Sequence, residues 1–309
     1  MSESLLKVFL RSPGFACVCC LCLMFLACRK PAPAASPAHD DVCPLEGVCL
    51  RAQAGPAHDE ACGLADISVH YNSGDFASCL MVPQRRLTVQ ENGTDVPIDV
   101  APAHNLVLLR DKRPLPKLAG DLLKDYLKEN SIALVPLTDA SVASYSAGYP
   151  YVHKAAEELK RMLVKRPVNF SSGLRSKIPD LTTVDVEHAF YAKVRYIDFP
   201  SGSGVLFLTQ YTQEPDSVLI NSDDLALVFQ GLTKDGRFYI DAHFNLHHPS
   251  LPKDAEAAGK TEQPGTAYLK KAEKQLNELP DGSFEPSIAR LTDVIQSLAA
   301  EKAGTAGKP

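Results

Sequence analysis

The 309-residue chain has no excess of positive charge: 32 Lys and Arg against 37 Asp and Glu leave a formal net charge of −5. Without an overall basic field a chain does not gather polyanions, so no nucleic-acid partner is expected. Proline and glycine are not abundant either. Their 23 and 18 residues make about an eighth of the chain, which is ordinary usage and excludes a collagen-like or wholly disordered protein. No internal repeat is present, and no apolar run reaches the roughly 20 residues of a membrane-spanning helix. Also missing are a Gly-rich phosphate loop after a strand, a zinc-protease motif and a paired-carboxylate signature. No cofactor, no metal and no catalytic residue are therefore expected. What is there, 45% hydrophobic and 22% charged, suffices for an ordinary core.

The amino terminus carries the most information. Lys7 and Arg11 precede a run without charge over residues 15–27, too short for a span and suited to an export leader. The run ends in Phe25-Leu26-Ala27-Cys28, followed by Arg29-Lys30 and a Pro/Ala-rich stretch. This pattern resembles the lipobox of bacterial lipoproteins, with Phe25 where that family has Leu. The resemblance implies cleavage after residue 27 and lipid attachment at Cys28, and Arg29 after the cysteine implies the outer membrane or cell surface. Acyl chains contribute about 0.8 kcal/mol per buried methylene, so a multiply acylated Cys28 would hold the chain on a membrane. The competing readings are a plain cleaved leader with Cys28 as a bystander, an uncleaved short anchor, or palmitoylation among Cys17, Cys19, Cys20 and Cys22.

Four cysteines remain beyond the leader: Cys43, Cys49, Cys62 and Cys79. An even count in an exported chain points to two disulfides with three connectivities. Free thiols compete with that reading, and so does a metal, because His39, Asp40, Asp41 and His58 interleave with the cysteines. The spacings lack the close C-x2-C pair of structural zinc sites.

Composition divides the chain into a leader over 1–27, a Pro/Ala-rich Cys-containing tether over 28–65, one domain over 66–299 and a disordered tail over 300–309. The domain is expected to be α+β, an antiparallel sheet covered by helices. Front-half strands are predicted at 67–71, 87–89, 105–110 and 132–137, and helices at 117–129 and 151–165. In the back half, strands at 187–199, 205–211, 225–233 and 237–246 form a four-strand meander, with Pro200 to Gly204 as one hairpin loop and Lys234-Asp235-Gly236 as another. The third strand is apolar on both faces and should be central. The fourth alternates, with Phe238, Ile240, Ala242 and Phe244 facing core and Tyr239, Asp241, His243 and Asn245 facing water or a groove. The last helix puts Ile288, Leu291, Ile295 and Leu298 on one stripe.

The runs Tyr196-Ile197-Asp198-Phe199, Gly202-Ser203-Gly204-Val205, Phe207-Leu208-Thr209-Gln210-Tyr211, Phe229-Gln230-Gly231-Leu232-Thr233, Asp235-Gly236-Arg237-Phe238-Tyr239 and His248-Pro249-Ser250-Leu251-Pro252 resemble a family of exported bacterial lipoproteins over residues 150–299. That resemblance implies an extracytoplasmic location and brings no catalytic residues with it. Strand order and final helix are also similar to the PsbP-like α/β/α sandwich, a likeness of fold that leaves function open.

Candidate chemistry is sparse. Ser203 sits in Ser-Gly-Ser-Gly between strands, not in Gly-x-Ser-x-Gly at a strand-to-helix elbow. His243 and His247 on a strand would stand about 13 Å apart, too far for one metal ion. Arg195, Gln210, Gln230, Asp241 and His243 lie on neighbouring strands, and if they share a face they make a polar binding surface. The plainer reading is the solvent face of an antiparallel sheet. Function is therefore expected to be binding or structural: a lipid-anchored membrane partner that engages an envelope protein or component. The alternative is an extracytoplasmic hydrolase or small-ligand-binding enzyme built around Arg195, Asp241 and His243.

Overall fold

The computed structural model describes residues 49–52, 59–64, 67–84, 102–110, 130–138, 140–143, 152–168, 170, 178–181 and 187–300. The front half supplies strands β1 (Cys49–Ala52), β2 (Asp59–Leu64), β3 (Ile67–Asn72), β4 (Ser78–Gln84), β5 (His104–Arg110) and β6 (Asn130–Pro136), then helix α1 (Val152–Lys165). The back half adds β7 (Glu187–His188), β8 (Ala192–Phe199), β9 (Gly202–Thr209), β10 (Tyr211–Thr212), β11 (Ala226–Thr233) and β12 (Phe238–Asn245). Helices α2 (Ala255–Gly259), α3 (Thr266–Glu278) and α4 (Ile288–Gln296) and strand β13 (Ala299–Ala300) complete it. The expected strand at 87–89 and helix at 117–129 lie outside the described residues, as do the leader, Cys28, Cys43 and residues 301–309.

Eight strands form one sheet in the order β1-β4-β5-β6-β12-β11-β9-β8. The α+β class and the antiparallel meander β8-β9-β11-β12 are as the alternation requires. Every residue of β11 is buried, because it lies between β9 and β12 and both its faces are covered. A smaller sheet, β13-β3-β2, and a ribbon of β7 with β10 stand apart from the large one. Strands β1 and β2 fall within 28–65, so the stretch expected to be a tether already pairs with the domain.

On one side of the sheet Ile240, Ala242 and Phe244 of β12 pack with Leu269 and Leu276 of α3 and Ile288, Leu291 and Ile295 of α4. On the other, Val205, Phe207 and Val228 pack with Val152, Ala155, Leu159 and Leu163 of α1, whose spacing of three and four residues makes one helical stripe. The C-terminal helix is seated by long-range polar contacts as well. The Ser287 side chain caps α4 by accepting from the Arg290 N–H, and Arg290 donates to both oxygens of Asp75 at 2.8 Å. Ser297 Oγ accepts the His70 N–H at 2.8 Å.

Two turns differ in detail from expectation. The β11–β12 connection runs over four residues, 234–237, with Gly236 at φ 69° in the left-handed region that disfavours a Cβ. The Asp235 carboxylate accepts from Thr233 Oγ1 at 2.7 Å, from Arg237 Nε at 2.6 Å and from the Arg237 N–H at 3.1 Å, and these bonds hold its pKa down to about 2. Strand β9 starts at Gly202, so only Pro200 and Ser201 make the β8–β9 turn. Gly204 is a strand residue: a Cβ there would come within 2.3 Å of the Phe229 ring.

The disulfide is Cys62–Cys79, with Cα atoms 6.1 Å apart, and it joins β2 of the small sheet to β4 of the large one. Cys49 lies on β1 with Met81 as its partner across the ladder.

Candidate binding site

The five polar residues on neighbouring strands do not share one face. Gln230 and Asp241 are register partners between β11 and β12, and His243 follows Asp241 by two residues, so these three share the side covered by α1. Arg195 is on the opposite side. A bulge in β8 places Ala192 against Leu208 and Arg195 against Leu206, and Lys193 at φ 56° takes up the extra residue. Arg195 consequently turns toward the α3–α4 connection, where its Nη1 lies 2.8 Å from Asp281 Oδ2. Lys193 Nζ meets the other oxygen of that carboxylate at 3.2 Å. Burial pulls the Asp281 pKa upward, but the hydrogen bonds and charges of Arg195 and Lys193 outweigh it and leave it below the ordinary carboxylate value. Gln210 stays apart from all of these. Its side-chain Oε1 accepts the Asn221 N–H at 3.3 Å.

The shared face is not the solvent face that strand alternation implied. Tyr239 and Gln230 are fully buried and His243 is half-buried, because α1 and the chain around β7 and β10 cover that side. Both polar atoms of the Gln230 amide lack a hydrogen-bond partner among the described residues. The His243 Nε2–H donates to Asn245 Oδ1 at 3.3 Å, and burial holds the His243 pKa below the ordinary imidazole value despite that bond.

Beside His243 stands a group that strand periodicity did not reveal. Tyr211 stacks on the His243 ring with centroids 5.7 Å apart, and His188, its partner in the β7–β10 ribbon, lies 5.0 Å away. His188 Nε2 lies 3.5 Å from Asp180 Oδ2, and Tyr191 Oη lies 3.3 Å from His188 Nδ1. Burial first, and then the nearby charges of Asp180 and Asp241, push the Tyr211 hydroxyl well above its usual pKa. A single strand over 187–199 hides this cluster; His188 enters it because the ribbon and the bulge break that strand.

A second feature is an open cavity of about 600 Å³ at the end of the sheet, lined among others by Asp223, His247, His248, Leu251, Lys253 and Phe284. Three loops meet there, and His248, 5% exposed, joins them. Its Nδ1 accepts from the Ser250 N–H at 3.2 Å and from Ser250 Oγ at 2.7 Å. A ring nitrogen that accepts a backbone N–H is unprotonated, so the proton is on Nε2, which donates to Ser283 Oγ at 2.9 Å. Ser283 Oγ in turn donates to the Pro280 carbonyl at 2.6 Å. Ser222 Oγ accepts the His248 N–H at 3.3 Å, tying in the third loop. The result is a braced groove whose walls include Leu251 and Phe284 and whose rim carries Asp223, Lys253 and Glu285. The His-Pro-Ser-Leu-Pro run lines it together with the loops around Ser222 and Ser283.

Among the described residues no three His, Cys, Asp or Glu side chains gather to hold a metal ion, and no helix is long and apolar enough to cross a membrane. Compared with known proteins, the chain matches no protein-family model, no curated protein and no solved structure.

Proposed function

We propose that the chain is an exported lipoprotein, fastened to a membrane through Cys28, whose α+β domain binds a protein or other component of the cell envelope in the groove braced by His248. The observation that carries the reading is the Cys62–Cys79 disulfide. Structural disulfides persist in oxidising compartments and are rare in a reducing cytosol, so a cross-link inside the fold favours export. The export leader and the small-residue pattern before Cys28 point the same way. A concave site with apolar walls and a few polar groups at its rim is the usual form of a binding pocket.

Detergent phase partition tests the anchor. The native chain should enter the detergent phase, the Cys28→Ala chain should remain aqueous, and mass spectrometry of the mature amino terminus should find Cys28 acylated. An unprocessed, unmodified amino terminus overturns the reading. Affinity capture from intact envelopes, with the groove altered by Lys253→Glu as control, identifies the bound component.

A hydrolytic reading is favoured by one observation, the Ser250 hydroxyl donating to a buried imidazole that Ser283 holds in place. The Ser250 N–H shares the same Nδ1, which is the bonding of a side-chain-locked turn, so binding remains the preferred function. Labelling of Ser250 by a fluorophosphonate would reverse that preference.

A further inference from the structure

We infer that the C-terminal end of α1 and the residues after it form a docking surface for a bilayer bearing anionic headgroups, an inference that goes beyond the proposed anchor at Cys28 and does not need it. The sequence there is Lys160-Arg161-Met162-Leu163-Val164-Lys165-Arg166-Pro167-Val168, four cations in nine residues with no acid among them. The chain as a whole is acidic, at −5, so this is a local reversal of charge. Met162 and Leu163 turn toward the core that α1 covers. Val164 and Val168 do not: they are 81% and 87% exposed and are the large hydrophobic side chains left in solvent among the described residues.

The helix sets the arrangement. At 3.6 residues per turn, Lys160 and Arg161 lie one turn before Val164 and flank it on either side. Cations near a helix C-terminus complement its dipole, which accounts for Lys165 but not for bare valines. Two of the four cations, Arg161 and Arg166, already face acids, and exposed Glu157 stands one turn before Lys160 and Arg161, so the free charge rests on the two lysines. Glu158 faces Lys154 at 3.8 Å and Arg161 at 4.0 Å, and Asp198 pairs with Arg166. Lys160 and Lys165 enter no ion pair among the described residues and are exposed, so their charge is available.

The segment is also held in shape. The Arg166 N–H donates to the Met162 carbonyl at 2.7 Å, its guanidinium lies 5.7 Å from the Tyr196 ring centroid, and Tyr196 Oη donates to the Pro167 carbonyl at 2.9 Å. Two valines fixed in place among cations suit a lipid interface, with aliphatic groups entering the headgroup boundary and ammonium groups meeting lipid phosphates.

Vesicle co-sedimentation of the full chain carrying Cys28→Ser, which cannot be acylated at that residue, tests the surface. Vesicles of phosphatidylcholine alone are compared with vesicles that also contain phosphatidylglycerol. Any contribution of the leader's apolar run is shared by all variants and by both vesicles, so the readout is the gain in binding on adding the anionic lipid. Each cation near such a surface is worth about fivefold in affinity, so Lys160→Glu with Lys165→Glu should lower the gain at least about tenfold. Val164→Ser with Val168→Ser should weaken binding to the anionic vesicles, and 0.5 M salt should erase the gain. Unchanged binding by both double variants overturns the surface, as does a parent chain that shows no gain because the patch serves an acidic protein instead. The anchor fails separately: a chain never acylated in cells that still shows the gain removes the tether and keeps the surface, whereas an acylated chain whose variants bind like the parent removes only the surface.

Discussion

Gln230 on β11 and Asp241 on β12 are direct cross-strand partners on the covered side of the sheet, and the Gln230 amide reaches no hydrogen-bond partner among the described residues. A buried polar group left unpaired costs about 1–3 kcal/mol, so Gln230 is a position at which stability is given up. Gln230→Met keeps the length of the side chain and removes both polar atoms. Its midpoint in urea should rise, by an amount corresponding to about 1–3 kcal/mol. A fall would mean that the amide is satisfied in solution.

Acid should destabilise the domain. Burial lowers the pKa of His243 and His248, and that of His104 despite a hydrogen bond to the Pro102 carbonyl. A histidine with a lowered pKa binds its proton more weakly when folded than when unfolded. Stability is therefore full above the unfolded value of about 6.5 and is lost as pH falls through the folded value. Urea unfolding at pH 7.5 and at pH 5 should show the decline. His248→Asn, whose side-chain oxygen can accept the Ser250 N–H in place of Nδ1, should show a smaller one.

Joining Cys62 to Cys79 closes a loop with a sequence separation of 17. Cross-links of that span contribute about 2–4 kcal/mol. Cys62→Ser with Cys79→Ser, or the reduced native chain, should unfold at correspondingly lower denaturant concentration. With this pair made, a second disulfide among the four leaves only Cys43 with Cys49, and non-reducing peptide mapping should find no other partner for either.

At Gly204 the obstacle is a neighbour, not a backbone angle. Gly204→Ala drives a methyl into the buried Phe229 ring, at 2.3 Å, and against the Gln230 carbonyl, at 2.6 Å, so replacing the ring can relieve only the first contact. Overpacking of this kind costs about 1–3 kcal/mol, and thermal melting of the variant should show it. Gly204→Ala combined with Phe229→Leu should recover part of the loss, because the smaller side chain makes room.

The meander, the central place of β11 and the stripes of α1 and α4 could all be read from the sequence. Each follows from an alternation of two or a spacing of three and four residues sustained over several turns. The functional regions were much less readable. Alternation runs His188 into one long strand over 187–199, and nothing nearby announces that it pairs with Tyr211 instead. Regular alternation from Ala192 would put Arg195 on the face of Asp241, and one extra residue at Lys193 moves it to the other. The spacing of His243 and His247 along a strand speaks only against a shared metal ion and says nothing of His248. His248 braces three loops through Ser222, Ser250 and Ser283.

Elements and their inward faces were set locally, since propensity, period and turn chemistry act over a handful of neighbouring residues. The partners of those elements were settled at long range: Asn130 Oδ1 accepts the Asn245 N–H from 115 residues away, and Ser297 meets His70 across 227. Which of three disulfide pairings contains Cys62–Cys79, why Gln230 is buried and where Val164 is left bare were decided there too. Each depends on which surfaces close against one another, and periodicity along a chain carries no information about that.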